Sequence, residues 1–241
     1  MAADLRFSFD PVCPFAWMTS KWVRTVAAQR DYAVEWRLIS LRLLNAHVDY
    51  DAQFPPDYEA GHTAGLRLLR VATRVRAEHG QEALGRFYAA CGERVFEGEP
   101  LAGSAVPGTA PFARRVLADA GLPADLAEAL DDASRDAEVQ AETDEALALA
   151  GKDVGTPILH FTPPDGPPGG VAFFGPVISR LPDERQAAEL WDHVVALATF
   201  PGFAELKRSL RELPQLPALG VATGEVGATE DWHGGSRRQH R

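Results

Sequence analysis

Strand-forming sequence is confined to two distant places in this chain, and that separation limits its fold more than any other feature. Leu5-Arg6-Phe7-Ser8-Phe9 alternates apolar and polar side chains, the period of a strand. After Pro14, the run Phe15–Ala28 is rich in Trp, Met and Val and reads as a helix. Val34-Glu35-Trp36-Arg37-Leu38-Ile39 alternates again. The opening is therefore strand, helix, strand, a βαβ unit. Almost no strand signal follows until Ile158-Leu159-His160-Phe161. A Pro/Gly-rich turn from Thr162 to Gly170 and a partner strand at Val171-Ala172-Phe173-Phe174 come next. An α/β fold must bring both ends into one sheet, with residues 45–150 as a helical insertion between its halves.

Within the insertion, Arg67–His79 is a helix candidate ending before Gly80. Gln81–Phe96 is a second, with Leu84, Phe87, Tyr88, Cys91 and Val95 on one face. Phe112–Ala120 stops at Gly121-Leu122-Pro123. Leu126–Ala150 alternates acidic residues and alanines at helical spacing. Beyond the second strand pair, Asp183–Ala198 predicts a helix with Leu190, Trp191, Val194 and Val195 inward, and Phe203–Leu210 a short last helix. Residues 214–241 read as a disordered tail, rich in Gly, Thr and charge toward its end.

The chemistry gathers at Asp10-Pro11-Val12-Cys13-Pro14-Phe15-Ala16-Trp17. A C-x-x-C site attacks with its first sulfur and resolves the mixed disulfide with its second. Here Cys13 is kept and Ala16 stands in the resolving position. Pro14 suits the first helical position, where its missing N–H costs nothing, so Cys13 falls at the helix cap. Unpaired N–H groups and the helix dipole favour an anion there, which predicts a nucleophilic thiolate. Asp10 would oppose that charge, and it is assigned to capping the turn. Cys91, on an apolar helical face, reads as core. Val154-Gly155-Thr156-Pro157 precedes the third strand, and a cis proline at Pro157 would present the backbone of Thr156 to an extended substrate.

Other classes of function find little support. The formal net charge is −10, with no basic stripe for nucleic acid. The N-terminus carries no secretory signal pattern, and no apolar run is long enough to span a bilayer. Two cysteines make no disulfide framework, and a reducing cytoplasm fits them best. The seven histidines show no metal-ligand spacing. There is no G-x-G-x-x-G, Walker loop or G-x-S-x-G elbow.

The separated motifs together resemble a family. The chain is similar to DsbA-like thioredoxin-fold proteins, and most closely to actinobacterial mycothiol-dependent nitroreductases, over nearly its whole length to about Leu213. The resemblance rests on Phe9-Asp10-Pro11-x-Cys13-Pro14 with Trp17, and on Ser40-Leu41-x-x-Leu44-Asn45. Further along it rests on Asp153-Val154-Gly155-Thr156-Pro157, Val171-Ala172-Phe173-Phe174-Gly175-Pro176 and Glu205-Leu206-Lys207-Arg208. It implies a thioredoxin-like domain made of residues 1–44 and 151–213, with the helical subdomain 45–150 inserted and the active site in the cleft between them. It implies a cytoplasmic enzyme with no tightly bound cofactor, drawing electrons from mycothiol or a similar small thiol. By position, Cys13 would be the attacking thiol, with Pro14 beside it, Pro157 the cis proline and Thr156 its substrate-contacting neighbour. Phe15 and Trp17 would form an apolar wall near the sulfur. Related folds often dimerise, so a homodimer is an expectation.

The family pattern has a second cysteine where this chain has Ala16. That departure favours a monothiol cycle, in which a second small-thiol molecule releases Cys13, over reduction of nitro compounds. Two alternatives share the fold. One is a kappa-class glutathione transferase-like or hydroxychromene-carboxylate isomerase-like enzyme, using the helix entrance to stabilise a bound thiolate. The other is a catalytically silent binding protein.

Overall fold

The computed structural model describes residues 3–99, 101–103, 106–163 and 166–232. β1 (Leu5–Phe9), α1 (Pro14–Gln29) and β2 (Val34–Leu38) form the opening unit, and β1 and β2 pair in parallel. β3 (Ile158–Phe161) lies antiparallel to β1, with Ser8 opposite Ile158, and β4 (Val171–Phe174) lies antiparallel to β3. The sheet order β2-β1-β3-β4, with a parallel βαβ half and an antiparallel half, is the thioredoxin-like arrangement. Central β1 buries Leu5, Phe7 and Phe9 completely.

Among the described residues between β2 and β3, all the regular elements are helical: α2 (Leu41–Leu44), α3 (Tyr50–Gln53), α4 (Tyr58–Phe96), α5 (Ala110–Asp119) and α6 (Asp136–Ala150), with 3-10 turns at Ala124–Asp131 and Ala133–Arg135. The main apolar cluster is continuous from sheet to helices, joining Phe7, Phe9 and Leu159 to Leu68, Phe87, Phe112 and Leu130. Tyr88 of α4 is a hub of that cluster. It stacks on Phe9 at 3.7 Å between ring centres and meets Trp17 and Trp36 edge-on at 5.9 and 5.5 Å. On the other face, α6 ties itself to β2. Glu142 accepts the Leu38 N–H at 2.8 Å, and Thr143 Oγ1 accepts the Ser40 N–H at 3.1 Å.

α4 runs close to the Cys13 turn because glycines line its inner face. A Cβ on Gly65 would lie 2.7 Å from Asp10 Oδ1, and one on Gly92 would lie 2.1 Å from the Trp17 ring. The sequence predicts two helices parted at Gly80, and the non-helical backbone there (φ +81°, ψ −176°) does divide α4 into two helical halves. Its start at Tyr58 lies well before the predicted Arg67. Gly61 and Gly65 weaken helix propensity there, and packing against the Asp10 turn compensates.

Several other expectations are corrected. Residues 124–135 form 3-10 turns rather than the start of a long α-helix, because Asp132 accepts the Ser134 N–H and caps a new start. Leu190 does not face inward. On α7 (Ala187–Thr199) the buried face is Ala187, Trp191 and Ala198, and Leu190 is exposed. Phe203–Leu210 is not a helix. Leu206 is exposed, and a short segment with no face to bury cannot offset helix nucleation.

The expected tail is also ordered over its described part. β5 (Leu210–Glu212) and β6 (Thr229–Asp231) form an antiparallel pair, with Leu216, Val221 and Trp232 buried. A few apolar anchors in polar sequence hold it down, which a compositional reading passes over. Residues 233–241, and Pro164 and Asp165 of the predicted turn, lie outside the described residues.

Candidate active site at the entrance of α1

The turn after β1 is built around a buried carboxylate. Asp10 Oδ1 accepts the Val12 N–H at 3.0 Å, and Oδ2 accepts the Leu41 N–H at 2.8 Å, joining the turn to the start of α2. The Cys13 N–H bonds back to the Asp10 carbonyl at 3.1 Å. The chain is thereby turned so that Cys13 caps α1 with extended backbone (φ −87°, ψ 114°), and Pro14 opens the helix. Cys13 Sγ accepts the Ala16 N–H at 3.4 Å. Asp10 thus has the capping role expected of it. Ser40 and Asn45 build the neighbouring support: Ser40 Oγ caps α2 through the Leu43 N–H, and Asn45 Nδ2 donates to the Leu41 carbonyl.

The second half of the site arrives from a segment 143 residues away: the Cys13 thiol donates to the Thr156 carbonyl at 3.4 Å. The Thr156–Pro157 peptide is cis. So is Gly175–Pro176, where the sequence motif carries no cis expectation. The two segments are joined, since the Gly175 N–H bonds to the Pro157 carbonyl at 2.9 Å and Thr19 Oγ1 of α1 donates to the Pro176 carbonyl at 2.7 Å.

Phe15 and Trp17 part company. Trp17 turns into the core against Tyr88, its indole N–H donating to Glu97 Oε1 at 2.7 Å, so it packs toward α4. Phe15 meets Trp232 edge-on, with ring centres 4.9 Å apart. The Arg211 guanidinium lies 5.5 Å from the Phe15 ring, 5.6 Å from Phe174 and 5.7 Å from Trp232. The β5–β6 pair thus brings a cation and an indole against the residue two places after the cysteine. Neither is signalled in the sequence. Arg211 has no motif around it, and Trp232 stands in sequence that reads as disordered.

This cover changes the electrostatics. Cys13 is 6% exposed, and its thiol is pushed from 9.0 up to about 12. Burial is the main cause. The Ala16 N–H opposes it, Asp10 adds to it, and the Phe15 N–H and Arg211 oppose it. The expectation of a thiolate at rest is therefore corrected. A helix N-terminus is worth ~0.3–1 kcal/mol to an anion, up to about 2 in favourable sites. The net rise corresponds to roughly 4 kcal/mol against the anion, so desolvation wins. Burial likewise raises Asp10 from 3.8 to about 7, against the Val12 and Leu41 N–H groups that favour its charge. Cys91 is fully buried, and burial alone pushes its thiol up. Both cysteines are free.

Among the described residues, no cluster of three or more His, Cys, Asp or Glu side chains is arranged to hold a metal ion. No described helix is long and apolar enough to cross a membrane.

Comparison with known proteins places the chain in a family. A protein of Mycobacterium tuberculosis (strain ATCC 25618 / H37Rv), the uncharacterized protein Rv2286c, is 33% identical over 213 residues, covering 88% of this chain and 82% of its own. Among solved structures, the cytosolic disulfide reductase DsbM from Pseudomonas aeruginosa superposes with a TM-score of 0.50 at 15% identity, over 80% of this chain and 99% of its own. A candidate protein disulfide isomerase from Nitrosomonas europaea gives 0.50 at 12% identity, over 79% and 97%. These likenesses show a shared fold. Family and fold together support a thiol-dependent oxidoreductase of the DsbA-like type. The family model described as mycothiol-dependent nitroreductase Rv2466c matches residues 12–208, and the chain belongs to this Rv2466c-like family.

Proposed function

We propose that this protein is a monothiol oxidoreductase acting through a mixed disulfide between Cys13 and a small thiol, mycothiol or one like it. The observation that carries this is the pairing of Cys13 Sγ with the carbonyl beside cis Pro157, while Ala16 holds the place of a resolving sulfur. In the first step the Cys13 thiolate attacks one sulfur of a disulfide between the small thiol and a substrate. The new bond joins Cys13 to the small thiol, the old S–S bond breaks, and the substrate leaves as a thiolate that takes up a proton. In the second step another small-thiol molecule, as its thiolate, attacks the bound sulfur. Cys13 is released, and the small thiol departs as its own disulfide. Overall, one mixed disulfide and one free small thiol become one substrate thiol and one small-thiol disulfide, with no sulfur needed at position 16. Reduction of a nitro compound through an internal disulfide would need that second sulfur. The cycle requires a reduced thiol pool, which fits the cytoplasm.

The experiment is intact-mass analysis of the full chain after exposure to mycothiol disulfide. One mycothiol is expected on Cys13, removed by free thiol. Protein that stays unmodified across the alkaline range overturns the proposal. A companion variant tests the geometry: Ala16→Cys should form an internal disulfide on mild oxidation, read as the loss of two hydrogens. Residue 16 already donates its backbone N–H to the Cys13 sulfur, so the two side chains leave adjacent points of one helical turn.

One observation favours a different chemistry. Cys13 is a protonated donor to a carbonyl in this arrangement, not an anion. A thiol of that kind can donate to the thiolate of a bound cosubstrate, as a transferase-like or isomerase-like enzyme of this fold requires. The serine variant separates the two.

A further inference from the structure

The proposed exchange meets an obstacle in the closed site, because the thiolate is the reactive form and burial disfavours it. Something must offset that cost when substrate arrives. Groups face the sulfur from four directions: Asp10 from the β1–α1 turn, Tyr88 from α4, the Thr156 carbonyl from the segment before β3, and Arg211 from β5. Of these, Arg211 alone carries a positive charge. It is buried, and the rings of Phe15, Phe174 and Trp232 surround its guanidinium at 5.5–5.7 Å. Glu230 stands opposite it in the β5–β6 ladder, with Asp231 next along the strand. The guanidinium lies 5.5 Å from the ring of Phe15, two residues after Cys13 at the entrance of α1, and its charge there favours the thiolate.

We propose that Arg211 is a positioning residue for the thiol step: a fixed positive charge, held against Phe15 by the β5–β6 strand pair, that steadies Cys13 as it loses its proton. The inference rests on the thiol chemistry proposed above. The aromatic rings hold the cation out of bulk water, so solvent screens its field on the sulfur only weakly. Trp232 has a separate part. Its ring covers Phe15, and its indole nitrogen is buried with no hydrogen-bond acceptor among the described residues. That side chain has little polar bonding to lose when a disulfide substrate displaces it. Arg211, on the other strand, stays in place as water and substrate enter.

The test follows the rate of Cys13 alkylation by iodoacetamide from pH 6 to 11, with peptide mass mapping to separate Cys13 from Cys91. That range lies below the Cys13 midpoint, where the rate follows the thiolate fraction, so Arg211→Met should slow the reaction about tenfold at each pH. Arg211→Lys should restore most of the difference. Arg211→Gln, with the same expectation as Met, keeps the test open if the Met variant does not fold. Trp232→Ala should do the opposite, speeding reaction at every pH because water reaches the sulfur. An unchanged or faster rate in the Met and Gln variants overturns the proposal, leaving Arg211 as part of the cover. These outcomes do not depend on mycothiol. A wild-type chain that forms no mycothiol adduct, yet shows the Arg211 effect, rejects the proposed function and keeps the electrostatic role.

Discussion

Replacing Cys13 by serine is expected to abolish the mycothiol adduct and all disulfide-exchange turnover, while leaving the fold intact. Serine is among the best N-cap residues, so its hydroxyl can take over the Ala16 N–H and preserve the start of α1. It can also donate to the Thr156 carbonyl as the thiol does. What it cannot do is attack a disulfide and remain joined through sulfur, which is the whole of the proposed cycle. Loss of activity with an unchanged unfolding midpoint therefore reports chemistry and not stability. The transferase-like alternative makes the contrary forecast. If residue 13 serves as a hydrogen-bond donor to a bound thiolate, the serine variant should keep a measurable part of its turnover. Turnover retained in the variant removes the covalent mechanism.

The contribution of Asp10 to stability is expected to fall as pH rises from about 4 to about 7. Burial lifts its carboxyl from 3.8 to about 7, so over that interval the folded protein holds a proton that the unfolded chain has released. A state that binds more protons is favoured at low pH. The contribution is fully present below the unfolded value and is lost as pH climbs through the folded one. The interval corresponds to roughly 4 kcal/mol. Asp132, Asp183, Asp192 and Glu212, held below their usual range by hydrogen-bond partners, act weakly in the opposite sense because they face solvent. His62, whose burial lowers it from 6.5 to about 4, opposes Asp10 more strongly, since the unfolded chain holds its proton over that interval. Comparison with Asp10→Asn isolates the buried group. The amide can accept only one of the two N–H bonds now taken by Val12 and Leu41, a cost that does not vary with pH. Urea unfolding at pH 4 and pH 8 should show wild type losing roughly 4 kcal/mol relative to the variant. Parallel curves for the two proteins would show that Asp10 is ionised throughout.

Much of the site's scaffold is legible in the order of residues. Alternation marks β1 and β2, a proline at the first helical position sets Cys13 at the cap, and Gly80 stands where the long helix breaks. Motifs around Asp10, Ser40 and Thr156 point to one place in the fold, and hydrogen bonds join Asp10 to the start of α2 and Cys13 to Thr156. Two expectations fare worse, an inward-facing Leu190 and a helix over 203–210. Leu190 and the segment 203–210 have helical spacing, but only neighbours in space decide which apolar side chains find a surface to cover.

What the sequence determined by itself is local: a strand leading into a proline-capped helix, a sulfur at its entrance and no sulfur one turn further on. Those follow from steric limits and hydrogen-bond needs within a few residues. The ionisation of that sulfur was decided by tertiary structure alone. It depends on how much water reaches the group, and here Trp232, more than 200 residues downstream, lies over Phe15 while Arg211 sets a charge nearby. Helix dipoles can be inferred from a run of residues; desolvation belongs to whatever closes over them.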